Sequence, residues 1–405
     1  MSETHVPRGA HVRLGAVEGD LRVEPNARLD ADGKIVVAGE ARFRGSCEVH
    51  GDLECARLEG EDGTLRIEGG LKVAGRLEYH DGGIETTGAL SGGRVDVDRK
   101  LIIGGAATAE EFEVGGQFEA RSTLDAKTVS VGGRFAAAGK VTAGSIEAGG
   151  TIELGEVDLD SLEVGGLARI GGGAVRRSIE AGGKFLAESA LTFGALDVGG
   201  FVEFRGPATG GSIDVGGMLT ARSDLTFQKL SIGGIGSIGG RGQGGSVEIG
   251  GRFEVQGPLE LTDHLEVGGS IEVRGPLSGR TATVGGSLEA ERAVFAGEAE
   301  IGGAVSTRDG LKADRIELNS RSRAHGPLVG RSVVLRSRAE AEDIYADEVE
   351  LHERAEARRI FARVVRLRDR ARVGEVTYTG EVDVGQGATV TSGPLKADSL
   401  PAFPL

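Results

Sequence analysis

The residues of this chain that could do chemistry are few, and their spacing gives them little to do together. Seven histidines (His5, His11, His50, His80, His264, His325 and His352) are scattered through 405 residues. There is no His-x-x-x-His pair, no Cys-x-x-Cys and no Gly-x-Ser-x-Gly elbow. Metal hydrolysis, thiol redox chemistry and triad acyl transfer each rely on side chains held at such spacings. Gly234-Ile-Gly236-Ser-Ile-Gly239 matches the dinucleotide fingerprint. That loop cradles pyrophosphate only where it follows a strand and opens a helix, and here it lies inside a glycine-dense repeat. Cys47 and Cys55 fall in apolar pairs, with Val49 and with Leu53, and read as reduced core residues. Surface acid pairs could imitate a glycosidase dyad, but a chain without Trp and with 4% aromatics lacks sugar platforms. The expectation is a protein that is not an enzyme and needs no cofactor or metal.

These residues are carried by a repeat. Gly-Gly pairs begin at Gly115, Gly132, Gly149, Gly165, Gly182, Gly199, Gly216, Gly233, Gly250, Gly268, Gly285 and Gly302, and nearly every spacing is 17. An apolar-x-apolar triplet precedes each pair, as in Phe112-Glu113-Val114. In the turn from Lys184 the doublets are Phe185 with Ala187, Leu191 with Phe193, and Leu196 with Val198. Residues i and i+2 of a strand share a face. Three short strands joined by three corners therefore close a triangular coil whose doublets point inward. A fixed short period of this kind means a solenoid. The Gly-Gly pair is expected at a corner, with positive φ and no room for a side chain against the neighbouring coil.

The fold class read from this pattern is all-β: a single-stranded right-handed β-helix of about 17 residues per turn and roughly 22 turns. At ~4.8 Å per coil it makes a rod of about 105 Å. Strict hexads, the mark of left-handed acyltransferase helices, are absent; spacings of 16 and 18 also occur. Residues 1–11 read as a disordered polar lead, 12–395 as continuous β-helix and 396–405 as a tail. Over 331–373 there is no Gly, and a charged helix is the alternative there. Triplets such as Val333-Val-Leu335, Val349-Glu-Leu351 and Val365-Arg-Leu367 keep the period and favour coils.

Composition agrees with a thin core: 71 Gly, 9 Pro and no Trp. The net charge of −15 argues against nucleic acid and against an anionic membrane surface. The start carries no basic-then-apolar leader, and no apolar run approaches the ~20 residues of a membrane span. A cytoplasmic location is expected.

Charge is unevenly placed. The outward residue of most triplets is acidic, as at Glu113, Glu147, Glu163, Glu180, Asp197 and Asp214. Stacked carboxylates repel by about 0.9 kcal/mol at ~4.8 Å in water and discourage face-to-face aggregation. Residues 315–372 instead hold 14 Arg, no Lys and 10 acids, a net of +4. Arg suits bidentate carboxylate contacts. Arg336, Arg338, Arg354, Arg358, Arg359, Arg366, Arg368 and Arg370 are read either as ladders to acids of adjacent coils or as a docking patch for an acidic protein. The coils at the two ends are apolar inside. Val12, Leu14, Leu21 and Val23 at one end, and Val382, Val384, Val390, Leu395 and Phe403 at the other, are the candidate polymer interface, each end pairing with another copy. Alternatively the Pro-rich tail folds back as a plug.

The repeats Gly144-Ser-Ile-Glu-Ala-Gly-Gly, Gly211-Ser-Ile-Asp-Val-Gly-Gly and Gly245-Ser-Val-Glu-Ile-Gly-Gly resemble those of bactofilins, the polymer-forming cytoskeletal proteins, across most of 12–395. The resemblance implies a compact right-handed β-helix and nucleotide-independent filaments built through the helix ends, acting as scaffolds. Many bactofilins contact the membrane through a short N-terminal segment. This chain is several times longer than a common single bactofilin domain, and its lead has no hydrophobic or basic anchor. Three readings follow: a cytoskeletal protein that self-assembles end to end, a non-polymerising adaptor or spacer using the Arg-rich 315–372 surface, and a left-handed acyltransferase.

Overall fold

The computed structural model describes residues 3–402, and every regular element in it is a β-strand. The chain divides into two compact units, Met1–Gly199 and Gly200–Leu405. Together they hold about 23 coils.

In the first unit the strands stack in parallel register one coil apart. Gln117–Ala120 pairs with Arg134–Ala137, which pairs with the start of Thr151–Val164, and that with the start of Leu167–Ala181. The inward column is Phe118, Phe135, Ile152 and Ala168, each 0% exposed. Phe118 and Phe135 stack with ring centroids 4.9 Å apart, because in-register pairing sets like upon like. A second column, Ala120, Ala137, Leu154 and Ile170, fills the same layers with complementary sizes. The other two segments of one coil lie within Leu124–Val131, whose Leu124, Ala126, Val129 and Val131 are buried.

The second unit is built the same way. One inward column runs Leu219, Gly236, Phe253, Ile271, Leu288, Val305, Ala324, Ala341, Ala357, Val373 and Val390. Gly236 faces inward beneath Phe253, and a Cβ there would meet the Phe253 ring at 2.8 Å. The middle glycine of the apparent dinucleotide motif thus makes space for a phenyl ring. Nearby, one face shrinks to the two-residue strand Leu225–Thr226, paired at two positions to Gly242–Gly244. The segment 331–373 is strand, not helix: Leu328–Leu335, Glu340–Leu351 and Glu356–Leu367 lie parallel in sequence.

The Gly-Gly corners need glycine for one of the two expected reasons. None of the twelve pairs lies in the left-handed region. Glycines of these pairs are instead pressed against the carbonyl one coil below: a Cβ on Gly132 would stand 2.2 Å from the Gly115 oxygen, and one on Gly302 2.3 Å from that of Gly285. Positive φ occurs at other turns, among them Gly9, Asn26, Gly45, Gly63 and Gly173 in the first unit and Arg321, Arg338, Arg354, Arg370 and Gly387 in the second.

The lead is also ordered differently from expectation. Glu3–Val6 is a strand in parallel register on Asp20–Val23, with Val6 over Val23 and 1% exposed. Thr4 and Val6 form a β-branched doublet that a count of apolar residues overlooks. At the other end Thr389–Lys396 is the last strand described, and 397–402 contain no strand or helix.

A Gly132→Ala substitution is expected to cost about 1–3 kcal/mol, the usual range for overpacking, read as faster amide exchange in Leu124–Val131 and Val141–Ala148. Gly15, also outside the left-handed region, has nothing within 4 Å of a built Cβ, so Gly15→Ala should stay within about 0.5 kcal/mol. Equal losses at both sites would refute the carbonyl-contact explanation.

Candidate interaction surfaces

The end coils are more uneven than their apolar residues suggest. Leu21 and Val23 are 0% exposed, because Thr4 and Val6 lie over them; they belong to the interior rather than to an end. Val12 and Leu14 are half-buried. At the other end Val382 and Val384 are the last inward pair on their face, seated on Val365 and Leu367, and Val384 is 46% exposed. Val390, seated on Val373, is half-buried. Leu395 is not an inward residue. The register slips by one between Glu375 and Thr377, setting Leu395 beside Thr377 on the outer face, where it is 61% exposed. A slip of one residue moves a side chain to the opposite face of a strand. Phe403 lies outside the described residues.

The Arg-rich segment makes internal ladders. Asp343 is 8% exposed and is clamped from the next coil by Arg358 at 2.8 Å and Arg359 at 2.5 Å. The hydrogen bond from Arg359 holds the Asp343 carboxyl below the usual aspartate range against the opposing effect of burial, with Arg358 adding to it. Arg336 reaches Glu317 at 2.6 Å. Burial raises the Glu317 pKa, but hydrogen bonds from Arg336 and Arg315 more than offset it and the net shift is downward. Arg366 pairs with Glu348 at 3.5 Å and Arg368 with Glu350 at 2.9 Å. Arg354 and Arg370 both reach Glu353, at 3.6 and 3.8 Å. Of the eight arginines singled out in the sequence, Arg338 alone has no carboxylate within 4 Å among the described residues.

One feature of this segment escaped the triplet pattern. Arg321, Arg338, Arg354 and Arg370 each occupy the third position of a four-residue turn closed by a main-chain hydrogen bond, such as Ala339 N to Arg336 O at 3.0 Å. Their φ values are 68°, 61°, 58° and 60°. A positive φ at that position marks a type II turn, where Gly or Asn is the ordinary occupant. The signal was available: the four arginines fall 17, 16 and 16 residues apart and in phase with Gly387, which has φ 72°.

The acidic ridge forms as expected. In the first unit Glu113, Ser130, Glu147, Glu163, Glu180 and Asp197 lie in one register column. In the second, Asp214, Ser231, Glu248, Glu266, Thr283, Glu300 and Glu317 do the same.

Elsewhere the chemistry-bearing groups are kept quiet. Cys47 and Cys55 are buried free thiols, and burial pushes Cys55 up to about 12 and Cys47 upward. His264 sits between Asp263 and Glu248, 3.4 Å from each. Among the described residues no group of three or more His, Cys, Asp or Glu could hold a metal ion, and no helix is long and apolar enough to cross a membrane.

Asp343→Asn should weaken the clamp by about 1–2 kcal/mol, seen as faster amide exchange in Glu340–Leu351 and Glu356–Leu367 at neutral pH. Because the folded-state pKa is depressed, the wild-type advantage is complete above the ordinary value of 3.8 and is lost as pH falls through the lower folded value. The two proteins should therefore begin to converge as pH falls below 3.8 and meet only below that lower folded value. No protein-family model, no curated protein and no solved structure matches the chain.

Proposed function

We propose that this chain is a structural protein that assembles end to end into nucleotide-independent filaments, serving as a cytoplasmic, cytoskeletal scaffold. The observation that carries this reading is the last coil described: Val382, Val384 and Val390 are the last inward residues of their columns among the described residues, and Val384 stands half in solvent. An open parallel edge offers a row of main-chain donors and acceptors to another strand. A coil from a second copy would continue both ladder and core, with Val12 and Leu14 as the matching half-buried surface at the other end. The bactofilin-like repeats support the same reading, because that family polymerises through its helix ends. In this role the long coil does no chemistry; it supplies a stiff unit and two adhesive faces.

A second reading, an adaptor working through the Arg-rich surface, draws support from Arg338, which has no carboxylate within 4 Å among the described residues.

Negative-stain electron microscopy without nucleotide, at moderate salt, tests the first reading. Filaments with a regular longitudinal repeat are expected, and Val384→Arg, at an already half-exposed site, should stop growth while leaving circular dichroism unchanged. Uniform single particles at every concentration would overturn it.

A further inference from the structure

The corner of the second unit at Arg321, Arg338, Arg354 and Arg370 carries four guanidinium groups on four successive coils, all exposed. Their placement works against folding twice over. Each residue has a left-handed backbone conformation, which strains a side chain other than Gly or Asn. Like charges one coil apart also repel. Within the unit little offsets this. Arg321 and Arg338 have no carboxylate within 4 Å among the described residues, and Arg354 and Arg370 share Glu353 at long range. The neighbouring outward column is satisfied without them: Glu340 by Arg323 at 3.3 Å and Glu356 by Arg372 at 3.1 Å. A row of arginines kept where glycine would fold better points to a partner outside the unit.

The spacing of the row defines what that partner must be. The four groups repeat at the coil period, so the complement is a row of carboxylates with the same period. The first unit carries one. Glu147, Glu163, Glu180 and Asp197 are exposed on four successive coils, in one register column, and none has a cationic partner within 4 Å among the described residues. Small residues lie next to this row, Ser145, Ser161 and Ser178 on one side and the Gly-Gly corners on the other.

We propose that the arginine row Arg321–Arg338–Arg354–Arg370 of one copy docks side by side on the carboxylate row Glu147–Glu163–Glu180–Asp197 of a second copy of this chain. Two parallel β-ladders share one repeat, so four pairs form at once without deforming either coil. Arg can engage each carboxylate through two nitrogens. The contact is lateral, distinct from the end faces of the proposed filament.

The test uses the full chain carrying Val384→Arg, so that end-to-end growth does not mask lateral pairing. Sedimentation velocity should show self-association at about 20 mM salt that weakens at least tenfold by about 500 mM, since exposed charges are screened over a few ångströms at high salt. Arg321→Gly/Arg338→Gly/Arg354→Gly should be monomeric yet fold at least as well, because glycine suits the left-handed turn. Reversing all four arginines to Glu in one sample, and all four acids to Arg in another, should leave each monomeric alone, while their mixture forms a complex. A monomeric chain at low salt, persistent association of the glycine variant, or no complex in the mixture would each overturn the proposal. The end-to-end reading stands or falls separately, on filaments of the chain without Val384→Arg.

Discussion

Everything in this molecule follows from parallel strands paired one coil apart. In such a ladder residue i lies on residue i+17 or a near neighbour of that number, so each side chain is stacked on its own structural equivalent. The rule is indifferent to chemistry. It stacks Phe118 on Phe135 with favourable ring contact, glycine on glycine where main chains pass within contact of a carbonyl, and Glu163 on Glu180 where the charges repel. Sequence can vary within the period only where a column tolerates its own repetition. Elsewhere opposite charges bracket a like-charged step, as where Glu340 and Glu356 stack between Arg323 and Arg372.

Period and class were legible because the inward doublets are strong and frequent. Even the glycine-free segment 331–373 keeps its triplets in phase, and the strands there follow them. The acidic ridge was legible for the same reason, since a fixed period places every triplet's middle residue in one column. What was not legible depends on single residues. Val6 builds a first coil with Thr4, which an apolar count discards. One extra residue near Pro394 turns Leu395 from the core to the surface. The Gly-Gly pair announces a special backbone without saying whether conformation or space demands it, and only the distance to the carbonyl below decides for space.

The arginines show the limit most clearly. Charge counting finds the segment but not the difference between Arg358 and Arg338, which are twenty residues apart. Arg358 closes on Asp343, a carboxylate nearly withdrawn from water, and its bond is part of the fold. Arg338 sits in a strained turn facing solvent. The two roles differ by whether the column opposite carries an acid, which is a property of register and not of composition.

Hydrogen bonds that run from coil to coil have a mechanical corollary. Tension along the stacking direction loads every coil-to-coil seam of a unit in series, so the unit is as strong as its poorest seam. In the second unit several seams are thin on one face: Leu225–Thr226 on Gly242–Gly244, and Arg323–His325 on Glu340–Leu351, each contribute only two paired positions. Pulled, the unit would part at one of these thin seams, like a chain at a weak link, while the longer ladder of Glu340–Leu351 on Glu356–Leu367 held.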